Sequence, residues 1–162
     1  MAIEEPDMNA WLAQAKESEQ APNIGMFLIH NGIVRATPRH AVRAEAARPA
    51  DAPERDARVV AVDFSYDKAG LEAALKEALG WEGVYYVQAW LNEGRVEVGE
   101  SLMYVLIGAD IRPHAISALE KLVGHIKSQL VEERELYAYR AAMQAGARHA
   151  TVHRRSCATI SR

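Results

Sequence analysis

Apolar residues in this chain follow two rhythms, and the switch between them predicts its elements. Dense runs bounded by turn residues read as strands: NIGMFLIH at 23–30, VVAVDFSY at 59–66, VYYVQAWLN at 84–92 and SLMYVLIGA at 101–109. The first run meets Asn31-Gly32 and resumes as GIVRAT, which makes it either one long kinked strand or a hairpin. Spaced apolar residues read as helices. Asp67 stands where an N-cap belongs, ahead of KAGLEAALKEALG, with Leu71, Leu75 and Leu79 four apart and Gly80 as the stop. Pro113 at a first helical position opens residues 113–131, where Ile116, Leu119, Val123, Ile126 and Leu130 predict one buried face. The next stretch, EERELYAYRAAMQ, is compatible with an extension of that helix. Near the start, PDMNAWLAQAKESEQ reads as a short amphipathic helix with only Met8, Trp11, Leu12 and Ala15 to bury.

Between these elements, residues 37–57 hold three prolines, many alanines and mixed charges without apolar periodicity, and read as a long mobile loop. Residues 93–100, EGRVEVGE, join two strands, and Gly94 and Gly99 suit tight or bulged turns. Residues 138–162 have little to bury and read as a flexible tail, leaving 1–137 as a single domain. The order helix, strands, strand-helix, hairpin, helix predicts an α+β fold in two layers, a mixed or antiparallel sheet with helices packed on it.

Length and composition agree. The chain's 162 residues suffice for one domain with a real core, and 49% hydrophobic with 25% charged residues is ordinary for a globular protein. Net charge is −3, but its distribution is uneven: residues 138–162 contain five arginines and no acid. Without interleaved aromatics or a recognition motif, a solvated basic tail is the stronger reading, and a nucleic-acid or membrane-surface arm the weaker. A single cysteine, Cys157, excludes an internal disulfide framework and any cysteine-based metal cluster. The start MAIEEPDMNAWLAQ lacks a secretory leader, and no run approaches the roughly 18 apolar residues of a membrane span, so a cytoplasmic protein is expected.

Three cationic positions are candidates for chemistry. Arg112 stands between an apolar strand and Pro113; it is either a surface arginine in a turn or an anion ligand beside unpaired helix N–H groups. Lys127 borders the apolar stripe, either as a snorkelling lysine or as a base, nucleophile or phosphate ligand at a pocket edge. Arg35 closes the segment GIVR, a strand end where binding groups often sit. His30 alternates with Leu28 and reads as a satisfied, half-buried histidine; His114 and His125 lack a partner spacing, and no metal site is expected. Phosphate-loop, dinucleotide and nucleophile-elbow motifs are absent.

Taken in order, GIVR after an apolar strand, VVAVDFSYD, WLNEGRVEVGES, GADIRPHAI and the helix through IKSQLVEERE resemble the large catalytic subunit of molybdopterin synthase over residues 23–136. The resemblance implies an α/β hammerhead fold and, in molybdenum cofactor biosynthesis, conversion of cyclic pyranopterin monophosphate to molybdopterin. Sulfur arrives on a small ubiquitin-like carrier as a C-terminal Gly-Gly thiocarboxylate. It further implies a homodimer within a heterotetramer, and no cofactor of the subunit's own. By this likeness Arg35 and Arg112 bind substrate, Lys127 is the catalytic lysine near the carrier's end, and Arg134, by spacing, stands in for a second lysine. Two departures matter: the family has a histidine where this chain has Ile111, and Arg134 lacks the family's surrounding proline and tryptophan. Arg134 binds anions but is not available as a neutral amine, because its pKa stays above about 12. The alternative is a non-catalytic paralogue that still binds a ubiquitin-like partner or a pterin phosphate.

Overall fold

Nine consecutive buried residues, Ser101–Ala109, form strand β5, the middle of the molecule. A strand covered on both faces needs no polar alternation, which is why SLMYVLIGA reads as an unbroken apolar run. The computed structural model describes residues 4–42 and 57–138. Along the chain come α1 (Met8–Lys16), β1 (Met26–Ile33), the short α2 (Arg39–Val42), β2 (Arg58–Tyr66), α3 (Lys68–Ala78), β3 (Val84–Leu91), β4 (Gly94–Glu97), β5, α4 (Arg112–His125) and β6 (Val131–Ala138). Of the stretch expected as a mobile loop, 39–42 is helical and 43–56 lies outside the described residues, as does the tail from 139.

The described strands form two antiparallel three-stranded sheets, ordered β1-β5-β3 and β4-β2-β6. This is the α+β class with helices packed on sheets, as expected, but with two sheets in place of one. β1 is a single strand whose register shifts between Gly32 and Ile33, so the kinked-strand alternative holds and the hairpin does not. Asp67 caps α3 as expected, its carboxylate accepting from the Gly70 N–H at 3.0 Å. Gly94 and Gly99 carry φ of +88° and +92°, the left-handed turns that their position predicts. Between them lies a finding the sequence did not suggest, since Gly94–Glu97 pairs with β2 as an edge strand.

Two helical expectations are corrected. First, 131–138 is not an extension of α4. A π-helical turn, Ile126–Leu130, ends the helix, and β6 then pairs with β2 from Tyr66↔Val131 to Arg58↔Ala138. Glu132 and Arg134 turn outward while Glu133 and Glu135 are half-buried, a period of two disguised by four successive charges. Second, the buried stripe of α4 is Ala115, Ala118, Leu122 and Ile126. The stripe drawn through Ile116, Leu119 and Val123 is rotated by about one residue. Alanines let the helix axis approach the sheet closely, and the larger neighbours are left at the rim, with Ile116 50% exposed. No helix among the described residues is long and apolar enough to cross a membrane.

Candidate functional site

Because only Asp110 and Ile111 separate β5 from α4, the helix must run back along the sheet it has just left, over β5 and β1. Between α4 and the edge strand β1 this leaves an open groove of about 670 Å³. Leu28 and His30 of β1 form one wall, Ile116, Leu119 and Val123 of α4 the other, and Lys127 stands near the helix's C-terminal end. The rim residues of the rotated stripe are therefore its apolar lining. Lys127, exposed in the π-helical turn, is close enough to His30 to act on its charge. Burial, and then this lysine's positive charge, push the His30 imidazole below the ordinary histidine range.

His30 is half-buried as expected but not satisfied. Its Nε2 is buried and has no hydrogen-bond partner among the described residues. Arg35 follows β1 through Val34, whose N–H donates to the Glu100 carbonyl at 3.0 Å, and its side chain is exposed. The antiparallel pairing of Ile33 with Ser101 and Met26 with Ala109 fixes the ends: α4 starts at the Met26 end and finishes towards Ile33. Arg35 and Lys127 thus share one end of the first sheet.

Arg112 is at the other. It is the first residue of α4, exposed, and about 20 Å from Lys127 along the helix axis. Beside it lies a pair that sequence reasoning missed: the His114 Nδ1 meets an Asp110 carboxylate oxygen at 2.7 Å, and that oxygen also accepts from the Ile111 N–H at 2.6 Å. The imidazole holds the Asp110 carboxyl below the usual carboxylate range. The i, i+4 spacing of Asp110 and His114 was the available signal. Ile111 itself is 51% exposed, with no histidine in its place.

Arg134 is in neither location. It stands opposite Asp63 on the outer face of the second sheet and lines a separate, polar groove with Ser65, Gly94 and Glu132. On the opposite face of β6, Arg39 forms an ion pair with Glu133 and donates its backbone N–H to Glu135 at 2.8 Å, anchoring the start of the 37–57 stretch. Among the described residues no group of three or more histidines, cysteines or carboxylates is placed to hold a metal.

Solved structures with the same architecture decide the fold. A molybdopterin synthase from Staphylococcus aureus superposes with a TM-score of 0.60 at 13% identity, covering 84% of this chain and 89% of that one. The chain has the molybdopterin synthase fold. The MoaE protein of molybdopterin biosynthesis from Burkholderia ambifaria gives a TM-score of 0.57 at 19% identity over 92% and 95% of the two chains. A complex of subunits 1 and 2 of the Helicobacter pylori molybdopterin-converting factor gives 0.54 at 19% identity over 83% and 84%. No protein-family model matches the chain, and no curated protein does. The molybdopterin synthase fold therefore meets the architectural expectation of the sequence resemblance, and at these identities the likeness is one of backbone architecture.

Proposed function

We propose that this chain is the large subunit of a molybdopterin synthase, transferring sulfur from the C-terminal thiocarboxylate of a small ubiquitin-like carrier to cyclic pyranopterin monophosphate in the cytoplasm. The observation that carries this reading is the β1–α4 groove with Lys127 at its end, on a molybdopterin synthase fold. A chain end of two glycines has no side chains, so it can thread between Leu28 and His30 on one side and Leu119 and Val123 on the other. Its terminal negative charge then arrives at the ammonium of Lys127. There the cation stabilises charge as the thiocarboxylate sulfur displaces a phosphate oxygen from the pterin side chain, opening the cyclic phosphate. Water then hydrolyses the resulting thioester to leave the sulfur on the pterin and free the carrier as its carboxylate. The solved complex of two converting-factor subunits supports a small partner on this fold.

Geometry adds a requirement. Arg112 and Lys127, at opposite ends of α4, lie too far apart for their heads to meet on one small phosphate. We infer that a second copy related by a two-fold axis supplies its own Arg112 to the Lys127 of the first, which would make the homodimer part of the site. Mixing Lys127→Ala with Arg112→Ala chains tests this. Each variant alone should be inactive, whereas re-associated mixtures should recover about a quarter of wild-type turnover, since half the dimers are mixed and each has one intact site. Mixtures as inactive as their components would remove the shared site.

A non-catalytic paralogue is the second reading. The placement of Arg134 opposite Asp63, away from the groove, favours it. Both readings keep the partner. Calorimetric titration with a ubiquitin-like carrier ending in Gly-Gly should give one carrier per chain, and Leu119→Asp in the groove wall should weaken binding at least about tenfold through the charge introduced into an apolar contact. A null titration would count against both.

A further inference from the structure

The alternation that turns Ile29, Asn31 and Ile33 to one face of β1 turns Leu28 and His30 towards α4. Gly32 follows on the same face; a Cβ there would be in ordinary contact with Nε2 of His30, at 3.5 Å, and tight against Cγ of Met103, at 3.2 Å. A buried ring nitrogen without a partner is costly in a resting protein and calls for an explanation. The charged group acting on the ring is Lys127, from the turn after α4; Glu120 of α4 also lines the groove, and the ring's pairing partner on β5 is the apolar Val105. Burial and the lysine's charge keep the imidazole neutral at neutral pH in the chain on its own.

We propose that His30 is the second cationic ligand of this groove, taking up one proton as an anionic chain end is seated beside Lys127, and thereby selecting charged chain ends over neutral ones. The inference rests on the reading of the groove as the carrier's seat. Lys127 alone disfavours a charge on the ring. An incoming carboxylate or thiocarboxylate cancels that repulsion and adds an attraction of its own, both of which stabilise the imidazolium. The sign follows: the ring's proton affinity is higher in the occupied groove, so docking takes up a proton and tightens as pH falls between the two values. A neutral end of the same shape brings no such change.

The test follows the His30 ring by NMR in the full chain, with two synthetic peptides as probes. One ends in Gly-Gly with a free carboxylate, which has the charge of the thiocarboxylate with oxygen in place of sulfur; the other is its amide. Titrating below the ordinary histidine value in the chain alone, His30 should titrate at higher pH with the acid bound and stay unchanged with the amide. Lys127→Ala should raise it without any peptide. Affinity for the acid should rise by up to about tenfold per pH unit, the limit for one proton. His30→Phe, which keeps a ring in the wall, and His30→Gln should both lose that dependence. If the acid binds and His30 does not respond, or responds equally to the amide, the inference is overturned and the carrier's seat stands. If neither the acid nor an intact carrier binds, the seat is overturned and the inference with it.

Discussion

Lys127→Ala should lower molybdopterin formation by about two to three orders of magnitude while leaving the fold intact, on the scale of removing a preorganised charge from a developing anion. The side chain is exposed, in the π-helical turn after α4, and its neighbour Ile126 carries the packing at 0% exposure. The lysine's exposed head lies outside the core, so the thermal midpoint should stay within about a degree or two of wild type. Lys127→Arg separates two roles. If the charge alone matters, arginine restores a large part of the rate; if a neutral amine is needed at some step, it restores none, because guanidinium does not deprotonate at working pH. A Lys127→Ala chain that turns over normally would remove this residue from the chemistry.

Leu122→Ala should have the largest effect on stability, a loss of about 2–5 kcal/mol. Leu122 is fully buried, on the face of α4 that meets the sheet between Ala118 and Ile126. The two buried alanines already bring the helix close, so the surroundings have little room to collapse into the space left by an isobutyl group. In a domain of this size the melting temperature should fall by about 2–4 °C for each kcal/mol lost. Ile116→Ala on the same helix, 50% exposed, should change stability by less than about 0.5 kcal/mol and act only on groove binding. Equal losses at the two positions would contradict the rotated packing of α4.

That rotation also shows how far the sequence could be read. The apolar runs that became β1, β2, β3 and β5, the Asp67 cap and the Pro113 start were legible because each depends on local chemistry that tertiary contacts reinforce. The buried face of α4 was not. Leu, Ile and Val outweigh Ala in any apolar pattern, yet close packing on a sheet favours Ala115 and Ala118 in the interface and leaves Ile116, Leu119 and Val123 at its margin. β6 was hidden for another reason, since Glu132 to Glu135 are all charged and the alternation that makes a strand survives only in their burial. Arg35, Arg112 and Lys127 were each picked out from the sequence, and the spacing of the last two along one predicted helix already set them about 20 Å apart; which end of the sheet Arg35 shares was not legible. His30 looked satisfied because its residue type and alternation are ordinary; that its Nε2 has no partner is a property of the packed groove alone.

The charge arrangement gives the two readings distinct consequences. On the proposed reading Lys127, with Arg35 at the same end of the sheet, holds the carrier's chain end, so a paralogue without chemistry would keep its affinity. The proposed synthase adds a second anion site, the partner copy's Arg112.

The central claim is tested most directly by supplying the purified chain with cyclic pyranopterin monophosphate and a thiocarboxylated ubiquitin-like carrier, and following molybdopterin through the fluorescence of its oxidised derivative. The predicted result is product that depends on both reagents and disappears with Lys127→Ala. Carrier binding without any product would contradict catalysis and leave the non-catalytic paralogue.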